Sequence, residues 1–171
     1  MYYGLWPTAW GWVAAAASGE GLICLILPQE TREQAAELAK TRGYGGLEEN
    51  AAYFTSLFVQ VEAYFAGTAR AVEFPLDLSA LTTFQREVLA AVRAIPYGEV
   101  RSYKWVAECI RRPRACRAVG QALRNNPVPV VVPCHRVVGE GGELGGFAWG
   151  EGYKRRLLAL EGYGPAFTAV P

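Results

Sequence analysis

Residues 102–126 read "SYKWVAECIRRPRACRAVGQALRNN". Ser102 is a helix N-cap residue type, and the apolar spacing after it predicts a short helix. "RRP" at 111–113 turns the chain. "RACRAVGQALRNN" then forms a second helix, which stops at Asn125–Asn126, ahead of Pro127. A short helix, a turn of about four residues and a second helix match a helix-turn-helix. An ordinary αα-hairpin has the same outline. The arginines favour the first reading, because Arg111, Arg112, Arg114, Arg117 and Arg124 cluster on the turn and second helix. Ala115, Ala118, Gly120 and Ala122 keep that helix slim, so its backbone can approach a groove closely.

The charge distribution agrees. Residues 1–85 carry 4 Lys/Arg against 9 Asp/Glu, and residues 86–171 carry 13 against 7. A basic C-terminal half suits a polyanion. Upstream of the motif, "TTFQREVLAAVRAI" (82–95) predicts a helix closed by the turn "PYG" (96–98). Further back, "WGWVAAAA", "SGEG" and "LICLIL" predict an antiparallel hairpin. "TREQAAELAK" predicts a helix whose Thr31 and Gln34 have capping-box spacing. "NAAYFTSLFVQVEAYFAG" predicts one longer helix ending at Gly67, with Tyr53, Leu57, Val61 and Tyr64 on the face that packs on the sheet. "AVEFPLDL" reads as an edge strand leading to a domain boundary near Asp77. The 171 residues suffice for two small domains. The apolar run "LWPTAWGWVAAAAS" is too short and interrupted to span a bilayer. The first basic side chain is Arg32, so no charged leader region is read, and a cytoplasmic protein is expected.

Downstream comes "NPVPVVVPCHRVVG", residues 126–139, with the chain's only histidine directly after Cys134. Val130 to Val132 are predicted to form a short buried strand, ended by Pro133. Cys134 would then emerge at a strand end. A thiol attacks as thiolate, and a nearby imidazole can take its proton. In extended chain, however, neighbouring side chains point to opposite faces. A bridging water would let His135 serve Cys134. His135 would need a carboxylate on its other nitrogen, with Glu140, Glu143, Glu151 and Glu161 as candidates. Glu161, in "LLALEGY" at the end of an apolar helix, is the one best placed for burial. Residue types alone leave open a structural cysteine beside a satisfied core histidine. Cys24, Cys109 and Cys116 show no paired spacing, and one histidine cannot complete a Cys/His zinc set.

The stretches "IPYGEVRSYKWVA", "ACRAVGQALRNNPVPVVVPCHRVVG" and "GELGGFAWGEGYKRRLLALEG" resemble, in order and spacing, the O6-alkylguanine-DNA alkyltransferases, or methylated-DNA–protein-cysteine methyltransferases. The match is strong over 84–163 and weaker but compatible over 1–77. It implies an α/β fold with a small N-terminal mixed α/β, ribonuclease-H-like supporting domain (1–77). A mostly helical C-terminal winged helix-turn-helix-like domain (78–171) would bind DNA and accept the alkyl group.

The resemblance further implies that a damaged base is flipped out of duplex DNA and its alkyl group passes irreversibly to Cys134. His135 would act as base through water, with Glu161 behind it. Asn126 would brace the turn, and Tyr103 would protonate the leaving guanine. Arg117 would fill the gap in the stack. Arg124, Ala115, Cys116, Gly120 and Ser102 would lie on the DNA side, and Leu123, Val137, Ala148, Trp149 and Lys154 around the base. Arg136 is expected to pair with a core carboxylate. Ala148 stands where some members have serine, and Trp149 where some have glycine. The indole should narrow the pocket mouth, favouring methyl over benzyl. Neither a metal nor a cofactor is implied, and the partner is double-stranded DNA bearing O6-alkylguanine, bound by a monomer. The alternatives are a non-catalytic alkyltransferase-like damage sensor, whose known representatives replace the acceptor cysteine, and a Cys–His hydrolase.

Overall fold

The computed structural model describes residues 1–163, which form two compact units. The first comprises Met1–Ala80 with Pro127–Val131. The second comprises Leu81–Asn126 and Val132 to Tyr163. Among the described residues no helix is long and apolar enough to cross a membrane.

In the first unit, β1 (Tyr2–Thr8), β2 (Gly11–Ala17), β3 (Leu22–Gln29) and the two-residue β4 (Glu48–Glu49) form a sheet of order β3-β2-β1-β4. β1–β2 and β2–β3 are antiparallel, and β4 joins β1 in parallel. β2 buries consecutive residues Val13 to Ala17, so both faces of its strand are covered. The predicted hairpin is present as β2–β3. The sequence pattern does not show β1, because Pro7 lacks the N–H of a ladder residue. α1 (Arg32–Thr41) opens with the expected capping box, Thr31 accepting from the Gln34 amide.

The segment read as one long helix is instead split. A 3-10 turn, Ala51–Phe54, capped by Asn50, precedes α2 (Thr55–Phe65). The Asn50 side chain accepts from the Tyr53 amide and starts the 3-10 turn. Leu57, Val61 and Tyr64 are buried as expected, and Gly67 follows the helix with φ +74°. "AVEFPLDL" forms no strand, only a single bridge of Leu76 to Leu22. Pro75 supplies its carbonyl to Leu22, but having no N–H it cannot extend a ladder.

In the second unit, α3 (Thr83–Arg93) carries a second capping box, Thr82 with Gln85. α4 (Tyr103–Cys109) and α5 (Cys116–Arg124) form the helix-turn-helix, and α3 packs against both. β5 (Arg101–Ser102) pairs in parallel with β6 (Val137–Val138). This short ladder sets the start of α4 beside the chain leaving Cys134. α6 (Glu151–Leu160) completes the unit.

The predicted strand at 130–132 is absent. Val130 and Val131 form a turn, and Val130 has φ +73°. A residue before proline is driven to extended backbone. Pro127, Pro129 and Pro133 therefore pin Asn126, Val128 and Val132, and the reversal falls on Val130–Val131. A left-handed β-branched residue is strained by about 1–2 kcal/mol. Burial of Val128, Val130 and Val131 helps hold it.

Candidate active site

The chain enters the site through two tight turns. Pro133 has φ −80° and ψ 62°, and the Cys134 amide donates to the Val132 carbonyl at 2.8 Å, an inverse γ-turn. Cys134–Arg136 then forms a 3-10 turn. The strand-end placement expected for Cys134 is thus replaced by a turn, and the alternation of an extended chain does not apply. Three successive side chains, Cys134, His135 and Arg136, are all buried.

Cys134 is 5% exposed. The Asn126 amide donates to its sulfur at 3.1 Å and to the Val132 carbonyl at 3.0 Å. Asn126 thus ties the end of α5 to the thiol turn. Burial pushes the Cys134 thiol up. The Asn126 hydrogen bond, the Lys154 charge and the amides of Cys134 and His135 oppose that shift. Ionising this sulfur therefore calls for a proton acceptor close by.

His135 is fully buried, and its Nε2 lies 2.8 Å from Glu161 Oε1. A carboxylate there accepts, so Nε2 carries the hydrogen and Nδ1 is the basic nitrogen. Burial lowers the His135 pKa, with Arg136 and Lys154 adding to the effect and Glu161 opposing it. Of the four candidate carboxylates, Glu161 is the one in contact. It follows the last residue of α6, where the side chain turns inward. It also accepts from Arg136 Nη2 on Oε1, and from Arg136 Nε and the Gly98 amide on Oε2.

Lys154 lies seven residues before Glu161, two turns back on the same face of α6. Its Nζ donates to the Val137 and Leu144 carbonyls and sits 5.8 Å from the Tyr103 ring centre. Burial brings its pKa down to about 8, with Cys134 and Glu151 opposing. The Val137 carbonyl, expected to meet the base, already accepts from this ammonium. Tyr103 is held up in pKa by burial first and by Cys134 second, with Arg124 opposing, so it stays a phenol.

Beside this cluster is an open cleft of about 410 Å³. Tyr103, Cys116, Arg117, Gly120, Gln121, Arg124, Gly145 and Gly146 line it. Arg117 and Arg124 are exposed on α5. Gly145 has φ +66°, and a Cβ there would come within 2.7 Å of the Tyr103 hydroxyl. Only glycine lets that loop approach the ring.

The residues read from sequence separate into groups. Cys134, His135, Glu161 and Asn126 form one hydrogen-bonded cluster. Tyr103, Cys116, Arg117, Gly120 and Arg124 share the cleft. Ala115 precedes α5, half-buried. Ser102 is buried, and its hydroxyl caps α4 by accepting from the Trp105 amide. Leu123 and Val137 are buried in the unit, Ala148 is exposed and Trp149 is half-buried. None of these four lines the cleft. Sequence reasoning missed Gly145, Gly146 and Gln121, and the core carboxylate it expected to pair with Arg136 is Glu161 of the site. Adjacency of Arg136 to the Cys-His pair was the available signal. Among the described residues, no group of three His, Cys, Asp or Glu is placed to hold a metal ion.

Fold and site together define a helix-turn-helix protein with a buried Cys–Asn and His–Glu–Arg network beside an arginine-bearing helix. The family model described as "6-O-methylguanine DNA methyltransferase, DNA binding domain" matches residues 83–163. The one described as "6-O-methylguanine DNA methyltransferase, ribonuclease-like domain" matches residues 1–78. The chain belongs to the methylated-DNA–protein-cysteine methyltransferase family. A member so named from Methanosarcina acetivorans is 38% identical over 162 residues, covering 95% of this chain and 99% of that one. Another, from Mycolicibacterium paratuberculosis, is 48% identical over 116 residues, 68% of this chain and 70% of its own. The crystal structure of Mycobacterium tuberculosis OGT in complex with DNA has a TM-score of 0.80 at 37% identity, covering 97% of this chain and 96% of that chain.

Proposed function

We propose that the protein repairs DNA by moving the alkyl group of O6-alkylguanine, chiefly methyl, onto its own Cys134, once and irreversibly. The observation that carries this reading is the buried pairing of His135 with Glu161 at 2.8 Å, next to a thiol held by Asn126. The target carbon lies inside a stacked duplex, so the base is extruded at a cost of a few kcal/mol. Arg117, exposed on α5, fills the vacated stack with its planar cation. Arg124 meets phosphate, and affinity falls as salt rises.

Sulfur attacks the methyl carbon as the carbon–oxygen bond breaks. The thiol proton passes to Nδ1 of His135 through a water. Tyr103 donates to the leaving guanine, so that neutral guanine departs. Cys134 ends as a methyl thioether, which has no leaving group for water to displace, and the protein is consumed without any cofactor. Residues 1–77 serve as the supporting domain and 78–171 as the acceptor domain, in a cytoplasmic monomer.

The test is the intact mass of the protein after mixing with duplex O6-methylguanine DNA. The expected result is a gain of one methyl in place of a hydrogen, absent in Cys134→Ala. An unchanged wild-type mass with DNA bound would make the protein a damage sensor. Repeated turnover on an ester would make it a hydrolase.

A further inference from the structure

Arg136 is buried at the back of the site, and each part of its guanidinium is engaged. Nε and Nη2 grip the two Glu161 oxygens, each at 2.8 Å, and Nη1 donates to the Ile95 carbonyl at 2.6 Å. The Tyr97 ring lies 5.7 Å from its central carbon, and the Tyr97 hydroxyl donates to the Leu160 carbonyl. Glu161 Oε1 therefore accepts from His135 and Arg136 at the same 2.8 Å. A neutral donor would suffice to hold a carboxylate in place. A buried guanidinium is expensive to desolvate, and it brings two further effects. Its planar fork fixes the carboxylate plane, which aims Oε1 along the Nε2–H bond. Its charge already neutralises Glu161, so an added imidazolium would set two cations against one anion.

We infer that Arg136 is a positioning residue for methyl transfer, aiming Glu161 at His135 and keeping the imidazole neutral so that it can take the proton of Cys134. This rests on the transfer reading above. The charged and titratable groups facing His135 are Lys154 from α6 and Glu161 just after it, with Cys134 and Arg136 from its own turn. Lys154 acts in the same sense as Arg136, and Glu161 against it. Without Arg136, no guanidinium offsets the carboxylate that His135 meets, and the imidazole holds its proton to higher pH.

His135 is the only histidine, so its imidazole NMR signals need no assignment. They are followed against pH in the intact protein without DNA. In parallel, single-turnover transfer from O6-methylguanine duplex is measured across the same range. In the wild type, the Nε2–H neutral form should persist below pH 6.5, the ordinary histidine value. Arg136→Met should move the His135 titration and the acid limb of the rate profile upward together, by about one pH unit. That is roughly a tenfold loss of rate on the acid side, with a smaller loss at the plateau. Arg136→Lys, which keeps the charge and loses the fork, should lower the plateau and leave the limb where it is.

A residue with only a structural role would lower stability without moving the limb, and an unmoved limb in Arg136→Met overturns the inference. If that variant does not fold, Arg136→Gln carries the same test, and an unmoved limb there overturns the inference, as does an imidazolium at neutral pH in the wild type. A protein that titrates as expected yet gains no methyl rejects the transfer reading and leaves the hold of Arg136 on His135 standing.

Discussion

Glu161→Gln is the most discriminating single change at the site. Glutamine has nearly the same shape, so packing is preserved while charge and acceptor capacity change. Four donors converge on the carboxylate: His135 Nε2 and Arg136 Nη2 on Oε1, Arg136 Nε and the Gly98 amide on Oε2. An amide has one acceptor oxygen. If that oxygen keeps His135, the NH2 faces the Arg136 Nε–H and the Gly98 N–H, donors against donors. The Arg136 side chain is 7% exposed and the Glu161 side chain 1%, so water offers little relief. Breaking a buried ion pair by removing one partner is destabilising by about 3–5 kcal/mol. At about 2–4 °C per kcal/mol for a chain of this length, the Tm should fall by roughly 6–20 °C.

Chemistry suffers separately. The His135 Nε2–H loses an ionic acceptor, and imidazolium formation loses its stabilising charge. A general base contributes about 100- to 10,000-fold, and a large share of that should disappear. Single-turnover transfer measured well below the lowered Tm separates the two effects. Glu161→Asp, which keeps the charge but shortens the reach, should fall between wild type and Gln in both assays. A Gln variant that melts and transfers like the wild type would refute the claim that this carboxylate organises the site.

Two further outcomes follow from the same cluster. Lys154 titrates near 8 in the folded protein against an ordinary 10.5, so the unfolded chain holds more protons between those values. Stability relative to Lys154→Met should therefore rise from about pH 8 to pH 10.5, by up to about 3 kcal/mol, and a flat difference in urea titrations across that window would contradict the assignment. Gly145→Ala should lose about 1–2 kcal/mol from its left-handed backbone and slow transfer by displacing the Tyr103 hydroxyl. Gly146→Ala, whose added carbon would meet only the movable end of Arg124, is the control, and equal slowing in both would count against the Tyr103 contact.

What could be read from the sequence was local. The capping box at Thr31–Gln34 and the Ser102 cap are encoded within four residues, and each stands in the structure as read. The helix-turn-helix was legible for the same reason: its turn is short and its arginines are sequential. β1 was not legible, because strand pairing is a non-local event, and seven pairs with β2 override Pro7. Glu161 could be favoured over three rivals only from its position after an apolar helix. Arg136 is marked locally only by its place beside Cys134 and His135, whereas the Gly98, Ile95 and Tyr97 contacts around it lie about forty residues away and are not legible there.

The opposing faces expected of Cys134 and His135 rested on an extended chain, and proline spacing decides against one. Residues preceding Pro127, Pro129 and Pro133 are confined to extended backbone, so the only unconfined pair before the thiol is Val130–Val131, where the chain reverses. Pro133 then supplies the fixed φ of an inverse γ-turn and leaves the Cys134 amide to close it. With the backbone curled into a 3-10 turn, side chains step by about 120° rather than 180°. Sulfur, imidazole and guanidinium can then each meet a different partner: Asn126, Glu161 on one oxygen, and Glu161 on both. The strain at Val130 is thus local to the device that turns three neighbours in sequence into three inward-facing groups, and a straight strand through the same residues would send His135 away from the face that holds Cys134.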